Sequence, residues 1–324
     1  MELPAIIRAG IEDLLYKRDL SSIRSKAHTL SKRYRMEVQD GSWHIEDHET
    51  ALAYIASRAP ATYAAIMSAI DAVHVHMPDL APQTVLDIGS GPGTAIWAAA
   101  ESWPSLSAAK AFEACPPILH IGRMLTASLS FPVTWQQKNV ALSAESIEEE
   151  ADIVFISYVL NELETRQRRN LILELWQKTR SLLFIIEPGS TKGWQRILEA
   201  RQDLLEQGAF LVAPCTHDKA CPLEPPDWCH FSRRIARTRF HKFMKAAELP
   251  FEDEKFIYLA VSRKEPVHHE GARILSYPHQ GKGRIQLKLC DADGCSHNCI
   301  VSKRDGRFYN KVRRLSWGDW IERP

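Results

Sequence analysis

Three glycines at alternate positions form the pattern in this sequence that most directly indicates ligand binding. Gly89, Gly91 and Gly93 follow an apolar run at 85–88 and precede a helix-compatible segment at 94–101. Because glycine has no Cβ, a ligand can approach the backbone of such a loop closely. The first N–H groups of the following helix have no partner within the helix and face the same space. The pattern predicts a strand, a loop and a helix that together bind a nucleotide-like cofactor.

Acidic residues flank this loop. Asp87 lies just before the first glycine, and Glu113 follows a strand-like segment at 107–112. An acidic residue followed by GxGxG resembles the first motif of the class I S-adenosylmethionine-dependent methyltransferases. A dinucleotide fingerprint would place a third small residue at Thr94, so NAD fits less well, and a turn needed only for packing is the other alternative. The resemblance implies S-adenosylmethionine held by Asp87, Gly89, Ser90, Gly91, Gly93 and Glu113, the last accepting hydrogen bonds from ribose hydroxyls.

Three cysteines lie in a segment with little apolar content of its own. Cys215, Cys221 and Cys229 occur among four prolines. A shared metal or cluster explains three thiols in such a loop. Zinc knuckles favour ligands two to four residues apart, so the spacing favours an iron–sulfur cluster and leaves zinc as the alternative. The candidates for a fourth ligand are Cys290, Cys295 and Cys299, followed by His217 and His230.

Composition and charge limit the class of protein. The 324 residues have a formal net charge of +1, which excludes a globally basic nucleic-acid-binding protein and leaves local basic patches open. No stretch approaches the ~18 apolar residues of a membrane span, and no basic start precedes an apolar N-terminal run. We therefore expect neither membrane insertion nor export. Seven cysteines in such a chain indicate free thiols or ligation rather than disulfides.

The order of elements predicts an α/β fold. Apolar strands at 84–88, 108–112, 153–157 and 182–186 alternate with helical segments. This alternation predicts a doubly wound, mostly parallel sheet of the Rossmann-like, class I methyltransferase kind. We expect a helical N-terminal extension at 1–80, an S-adenosylmethionine-binding core at 81–210, a cysteine-rich loop with a basic helix and the last core strand at 211–265, and a small cysteine-ligated β module at 266–324.

Basic residues are concentrated directly after Cys229. We expect a helix here, with an apolar stripe through Phe231, Ile235 and Met244. Its opposite face would carry the candidate RNA-binding residues Arg233, Arg234, Arg237, Lys242 and Lys245. An ordinary solvated face is the alternative interpretation.

A second basic group lies near the C-terminus. Lys303 and Arg304 precede an Asp305-Gly306 turn, which we expect to join strands at 300–303 and 307–312. Both residues are candidates for contacts with RNA phosphates. Phe308 and Tyr309 follow the turn and could stack on bases.

Candidate catalytic residues follow the strand predicted at 153–157. Tyr158 could stack on a base, and Asn161 or Glu162 could form hydrogen bonds with it. Asn161 and Glu162 could equally cap a helix that begins near 162. Glu187 ends the strand predicted at 182–186 on the same carboxyl edge of the sheet. Since ligands of open α/β sheets bind at that edge, we expect Glu187 to line the pocket.

Five segments together resemble one family, the methyltransferase-like assembly factors of the small ribosomal subunit in mitochondria and bacteria. The segments are 86–93, 158–163, 186–189, 214–231 and 301–306. The cysteine segment is the most specific of them. The resemblance implies a class I methyltransferase fold, S-adenosylmethionine and a [4Fe–4S] cluster. The four cluster ligands it implies are Cys215, Cys221, Cys229 and, by its place in the motif Leu289-Cys290-Asp291, Cys290.

This resemblance implies assembly or maturation of the small ribosomal subunit through contact with ribosomal RNA. Methylation of ribosomal RNA is the first mechanism. A non-catalytic factor, in which S-adenosylmethionine is structural or regulatory, is the second. A small-molecule methyltransferase with a structural zinc site is a third possibility, which leaves the basic residues unexplained. We expect a monomer without membrane association, in the cytoplasm of a bacterium or in the mitochondrial matrix of a eukaryote.

Overall fold

A mostly parallel sheet carries the glycine-rich loop. The computed structural model describes residues 1–36, 44–140, 147–267 and 271–322. Its strands are β1 (Thr84–Ile88), β2 (Ala108–Glu113), β3 (Val133–Gln137), β4 (Ala151–Ser157), β5 (Thr179–Pro188), β6 (Phe210–Ala213), β7 (Phe231–Ala236), β8 (Phe251–Ser262), β9 (Gly271–Ile274), β10 (His279–Gly281), β11 (Arg284–Asp291), β12 (Ser296–Ser302) and β13 (Trp320–Glu322). Its helices are α1 (Ala5–Leu15), α2 (Leu20–Met36), α3 (His48–Ser57), α4 (Ala59–His74), α5 (Thr94–Ser102), α6 (Pro116–Thr126), α7 (Thr165–Lys178), α8 (Thr191–Glu206), α9 (Arg239–Met244) and α10 (Arg307–Val312).

Strand β1 lies inside the larger sheet. It pairs in parallel with β2 on one side and with β4 on the other, and β3 is parallel to β2. The full order is β3-β2-β1-β4-β5-β8-β6, with β7 paired to β8 and β6 antiparallel to β8. The four strands predicted from apolar runs are β1, β2, β4 and β5. The predicted α/β fold with a mostly parallel sheet is therefore confirmed.

Successive buried residues explain why β1 and β4 lie inside the sheet. Leu86 and Ile88 on β1 and Phe155 on β4 are all fully buried, as expected for strands covered on both faces. Asp87 interrupts this apolar run and is itself buried, in register with Ala111 on one side and Phe155 on the other. Burying a carboxyl group costs free energy. This position therefore indicates a role beyond packing.

The N-terminal segment is helical. Ile7, Ile11 and Leu15 bury one face of α1. Helices α3 and α4 are separated at Arg58, and Pro60 lies in the first turn of α4. Proline is tolerated there because the first N–H groups of a helix have no partner within it. Within the helical extension predicted at 1–80, this alanine-rich part thus forms two helices.

The prediction of a helix directly after Cys229 is wrong for residues Phe231–Ala236. Residues from Phe231 form strand β7, in which Phe231 and Ile235 are buried. Helix α9 begins only at Arg239 and contains six residues. Residues four positions apart share one face in a strand as well as in a helix. The spacing of the apolar residues therefore fits both structures.

The C-terminal module is an antiparallel sheet of order β10-β11-β9-β13, with β12 paired to β11. Alternating burial of Ile285 and Leu287 on β11 builds its core. The hairpin predicted around Asp305-Gly306 is wrong in its second strand, because residues from Arg307 form α10. Phe308 and Tyr309 pack against the module's core. This packing explains why residues from Arg307 form a helix and do not pair with β12.

The internal contacts of the chain divide it into two units. One comprises residues 1–67, 81–183 and 233–254, and the other comprises 68–80, 184–232 and 255–324. The glycine-rich loop belongs to the first unit. The cysteines at 215, 221, 229 and 290 all belong to the second. In the described ranges, no helix combines the length and the apolar character needed to cross a membrane.

Candidate functional site

The carboxylate of Glu113 holds the glycine-rich loop. The backbone N–H of Gly91 donates to its Oε2 at 2.8 Å, and the backbone N–H of Cys115 donates to its Oε1 at 2.8 Å. Burial raises the pKa of Glu113 and these backbone hydrogen bonds oppose that rise. Both oxygens therefore have a structural partner in addition to the ribose contact predicted from the sequence.

The loop has a conformation that favours glycine. Gly89, Gly91 and Gly93 have φ angles of +65°, +55° and +89°, in the left-handed region that is strained for other residues. Ser90 faces inward, and its Oγ donates to the backbone oxygen of Asp87 at 2.8 Å. Gly93 caps the N-terminus of α5. The predicted strand, loop and helix are all present.

A cavity of about 460 Å³ lies beside the loop in the first unit, within the usual size of a small-molecule site. Gly89, Gly91 and Glu113 line it. A Cβ placed on Gly91 would meet, among the described residues, only the ring of Tyr54 at 3.9 Å. The backbone of the loop is thus accessible to a ligand.

Asp87 lies beneath the loop and is 2% exposed. Burial, reinforced by the charge of Glu113, raises the pKa of Asp87 to about 8. Within the described part of the chain, its Oδ2 is buried without a hydrogen-bond partner. Because such an atom costs free energy, a ligand that brings a hydrogen-bond donor or a positive charge would stabilise this site.

Three residues from the N-terminal helices complete the wall of the cavity. These are Tyr34, Tyr54 and Arg58. None of the three was predicted from the sequence. The available signal was charge, since Arg58 is the only charged residue between 51 and 70. Its Nη2 lies 3.4 Å from Oε1 of Glu254. Half-buried, this guanidinium has a carboxylate partner beside the cavity.

Tyr158 lines the same cavity and has a φ angle of +60°. Its hydroxyl donates to Oε1 of Glu254 at 3.3 Å. Burial and the nearby Glu254 raise the pKa of the Tyr158 phenol well above its usual value. The phenol therefore stays protonated at neutral pH and can donate hydrogen bonds or stack, but it cannot act as a base.

The other candidate catalytic residues differ in position. Glu162 lines the cavity, with its Oε1 at 4.0 Å from Nε2 of His44. Asn161 is buried and is not among the lining residues. The helix predicted to begin near 162 is α7, which Glu164 caps at its N-terminus. Asn161 and Glu162 instead form a short 3-10 turn.

Glu187 belongs to the second unit, whereas the residues that line the cavity belong to the first. Glu187 is fully buried, and Nε of Arg196 donates to its Oε2 at 2.7 Å. A buried carboxylate with a guanidinium partner is stable without a ligand. The structure therefore gives Glu187 a structural partner rather than the predicted place in the pocket.

The second candidate site is a cavity that Cys215, Cys221, Cys229 and Cys290 line together. The four thiols are close enough to affect one another. Burial raises the pKa of Cys229 well above its usual value, and Cys215, Cys221 and Cys290 raise it further. The Sγ of Cys290 also lies 3.6 Å from Nε2 of His217. The fold thus brings together residues from a proline-rich loop and from strand β11.

Two arginines line this four-cysteine cavity. Arg201 is 4% exposed and Arg273 is 2% exposed. Arg201 donates to the backbone oxygens of His217 and Lys219, and Arg273 donates to those of Pro214 and Gly318. In the described ranges, neither forms an ion pair with a carboxylate. Buried positive charges without such a partner favour an anionic group in the cavity.

The side chains around these cysteines bear on zinc binding. Among the described residues, no three His, Cys, Asp or Glu side chains are placed to hold a single metal ion. A zinc ion requires its ligands at about 2.0 to 2.3 Å from one point. Cys295 is exposed, and Cys299 packs against the core of the C-terminal module.

The predicted RNA-binding residues near α9 are largely paired with carboxylates. Nη2 of Arg237 and Nζ of Lys245 lie 2.8 and 2.9 Å from Glu252, and Arg234 pairs with Asp253 at 2.8 Å. Arg233 and Lys242 are half-buried. The pairing reduces the net charge that this surface offers to an anion.

In the C-terminal module, Lys303 and Arg304 are both exposed. They lie in a short 3-10 turn that Ser302 and Asp305 cap. The side chains of Phe308 and Tyr309 are partly buried in the module. Lys303 and Arg304 are therefore available to a partner, while the two aromatic residues contribute to packing.

A mostly parallel sheet, a glycine-rich loop after β1 and an acidic residue at the end of β2 define a class I methyltransferase-like α/β protein. Among solved structures, the chain is similar to an O-methyltransferase family protein from Burkholderia thailandensis, with 13% identity, a TM-score of 0.46, and coverage of 76% of this chain and 72% of that chain. It is also similar to magnesium protoporphyrin IX methyltransferase from Synechocystis PCC 6803, with 13% identity, a TM-score of 0.41, and coverage of 76% and 100%.

The family model described as mitochondrial small ribosomal subunit Rsm22 matches residues 48–322, and this chain belongs to that family. One relative is the human mitochondrial ribosome assembly protein METTL17, with 28% identity over 84% of this chain and 62% of that protein. Another is Rsm22-cox11 tandem protein 2, mitochondrial, of Schizosaccharomyces pombe, with 22% identity over 95% and 49%. The chain thus spans less than two thirds of the length of these relatives.

Proposed function

We propose that this chain binds S-adenosylmethionine, carries a [4Fe–4S] cluster and acts in the assembly of the small ribosomal subunit. The observation that carries the proposal is membership of the Rsm22 family over residues 48–322. The human relative is named as a ribosome assembly protein, and the named relatives are mitochondrial. The proposed site of action is the mitochondrial matrix in a eukaryote and the cytoplasm in a bacterium. We propose a monomer without membrane association, whose partner is the RNA of the small subunit.

The cavity of the first unit supports S-adenosylmethionine as its ligand. Gly91 and the inward-facing Ser90 leave the backbone of the loop open at Gly91, and Glu113 lies at the wall where ribose hydroxyls would be bound. The buried Oδ2 of Asp87 offers an acceptor beneath the loop. A cationic ligand would lower the pKa of this carboxyl from about 8 and favour its charged form.

The four-cysteine cavity supports a cluster held by Cys215, Cys221, Cys229 and Cys290. A cluster bound by four thiolates is anionic, and the buried guanidinium groups of Arg201 and Arg273 would offset its charge. When bound, the cluster supplies cross-links among segments that are distant in sequence. Since the proline-rich loop has little core of its own, metal binding would contribute directly to its folding.

RNA contacts are proposed for Arg233, Arg234, Arg237, Lys242, Lys245, Lys303 and Arg304. Arg237 and Lys245 already pair with Glu252, so an RNA phosphate would share these two cations with that carboxylate. Lys303 and Arg304 are exposed and can bind phosphates directly.

Methylation of RNA and non-catalytic assembly remain distinct mechanisms. For methylation, Tyr158 would hold a base by stacking or hydrogen bonding, with Glu162 lining the same cavity. Asn161, which is buried, would act only through the turn that it shares with Glu162. The protonated Tyr158 and the paired Glu254 would position an acceptor but not remove its proton. Mass spectrometry of small-subunit ribosomal RNA from cells with and without the gene separates the two. Loss of one methyl group supports the enzyme, and unchanged modification with defective subunits supports the non-catalytic factor.

The proposed function is tested by sedimentation. Tagged protein should co-sediment with small subunits or their precursors in a sucrose gradient. The variant Gly91→Val, which fills the cofactor cavity, tests whether this association depends on S-adenosylmethionine. Tagged protein that remains at the top of the gradient under all ionic conditions would contradict a role in subunit assembly.

A further inference from the structure

We propose that an exposed cationic stripe on α2 binds the phosphate backbone of ribosomal RNA. The stripe consists of the cations Arg24, Lys32 and Arg35, with the exposed His28 between them. This inference rests on the proposed function, because it names the surface through which the RNA partner would be bound. None of these residues belongs to the basic groups predicted near α9 and the C-terminus.

The spacing of the stripe residues places them on one face of the helix. At about 100° per residue, positions 24, 28, 32 and 35 lie within an arc of roughly 80°. They extend along roughly 16 Å of the helix axis. The opposite face holds Ile23, Ala27 and Leu30, which are all buried. The helix is thus anchored by its apolar side and presents its cations outward.

Within α2 and the other described residues, the charges of the stripe have no neutralising carboxylate. Helix α2, over Leu20–Met36, contains no Asp or Glu. In the described part of the chain, no carboxylate forms an ion pair with Arg24, Lys32 or Arg35. By contrast, Lys26 pairs with Asp47 at 2.7 Å on another side of the same helix. Cations without carboxylate partners can release counterions when they bind phosphates, which is the main source of affinity for nucleic acids.

Helix α9 extends the stripe with an aromatic side chain. The guanidinium of Arg24 lies 5.4 Å from the ring centroid of Phe243, and this ring is 38% exposed. Helices α2 and α9 are in contact within the first unit. Arg239, at the start of α9, is also exposed. An exposed ring beside free cations is a platform on which an unpaired base can stack.

The chemistry of this surface favours RNA over a membrane or a protein. Apart from Met36 at the end of α2, which is exposed, the remaining exposed residues near the stripe are small and polar, including Ser21, Ser25 and Thr29. A membrane-bound helix needs an exposed apolar face, and here the apolar face of α2 is already buried. Protein interfaces have cores depleted of charge. A row of cations beside one aromatic ring fits a phosphate backbone with accessible bases.

The test measures binding of the full chain, purified without oxygen, to small-subunit ribosomal RNA across a salt series. We compare wild type with the triple variant Arg24→Gln, Lys32→Gln, Arg35→Gln, in which glutamine preserves helix propensity. We expect affinity to fall at least roughly tenfold and the slope of log K against log salt to decrease by about 2. The single variant Phe243→Leu should weaken binding with an unchanged slope, because it removes stacking and no charge.

The matched control removes three exposed cations elsewhere, by Arg166→Gln, Arg180→Gln and Lys264→Gln. Its affinity should stay within about threefold of wild type. Thermal unfolding and S-adenosylmethionine binding should be unchanged in all variants, which excludes misfolding. If wild type binds RNA and the α2 triple variant keeps its affinity and slope, the stripe is not the contact surface and the proposed function survives. If wild type does not bind RNA, both the proposed contact surface and the proposed function fail. Loss of binding to phosphatidylglycerol vesicles without loss of RNA binding would overturn the choice of partner.

Discussion

The backbone N–H of Gly91 donates to the carboxylate of Glu113 at 2.8 Å. This bond connects the tip of the glycine-rich loop to the end of β2, so that one acidic side chain both shapes the loop and lines the cavity. The carboxylate is 9% exposed and accepts a second backbone bond from Cys115. The loop and the proposed ribose contact therefore depend on the same residue.

The variant Glu113→Gln should lose affinity for S-adenosylmethionine by roughly tenfold. The amide offers one acceptor oxygen in place of two, and one of the two backbone donors then faces an NH₂ group. We also expect the free energy of unfolding to fall by about 1 to 2 kcal/mol. Calorimetric titration and thermal unfolding measure these effects. Glu101→Gln on the exposed end of α5 is the control, and equal affinity in both variants would exclude a role for Glu113.

The variant Gly91→Val should abolish binding of S-adenosylmethionine. Its side chain would enter the space beside Tyr54 that a ligand needs, and its positive φ would cost about 1 to 2 kcal/mol. Gly208→Val is the matched control, because Gly208 has φ +75° and open space around it but lies after α8. Calorimetry should show wild-type affinity for the control. Binding retained by Gly91→Val would place the ligand elsewhere.

The variant Cys290→Ser should lose the cluster, while Cys299→Ser should keep it. Cys290 lines the four-cysteine cavity, whereas Cys299 packs in the core of the C-terminal module. Iron and acid-labile sulfide per chain, measured after purification without oxygen, give the result. A cluster lost by Cys299→Ser and kept by Cys290→Ser would reverse the assignment. Stoichiometric zinc without iron would replace the cluster by a zinc site.

Glu252 anchors α9 and makes this region sensitive to acid. Burial alone would raise the pKa of Glu252, but hydrogen bonds from His241 and Lys245 lower it below its usual value of 4.5. A carboxyl group with a lowered folded-state pKa contributes stability that is present above that value and is lost as the pH falls below it. Unfolding measured from neutral pH down through 4.5 should therefore show a steeper loss of stability in wild type than in Glu252→Gln.

At neutral pH, Glu252→Gln should itself reduce the free energy of unfolding by about 2 kcal/mol, because the cationic side chains of Arg237 and Lys245 lose their carboxylate partner. The neighbouring Asp253→Asn is the control. Its pair with Arg234 is more exposed and should contribute less than about 1 kcal/mol. Equal losses in the two variants would show that Glu252 is not an anchor.

The sequence predicted the glycine-rich loop, because the conformation of this loop depends on residues that are adjacent in the chain. An apolar run before three glycines specifies β1 and its loop, because buried strands and left-handed turns restrict residue type at each position. The sequence could not indicate that Tyr34 and Arg58 line one cavity, or that Glu254 pairs with Arg58, since this requires helices and strands far apart in the chain to meet.

The errors have a physical cause as well. Phe231 and Ile235 are four positions apart, a spacing that places them on one face of either a strand or a helix, and pairing of β7 with β8 decides the outcome. Arg237 and Lys245 gave a basic pattern in the sequence, but Glu252 on another segment neutralises much of it. Charge along the sequence does not reveal which cations have carboxylate partners in the fold.

The proposed role in assembly of the small ribosomal subunit is tested by the ratio of small to large subunits in cells that lack this chain. Subunits are separated by sedimentation, in the mitochondria of a eukaryote or the lysate of a bacterium, and compared with cells in which wild-type protein or Gly91→Val is restored. In cells without the chain, we expect mature small subunits to be depleted while large subunits persist. Wild-type protein should restore the ratio, and Gly91→Val should not. An unchanged ratio in cells without the chain would contradict a role in assembly of the small subunit.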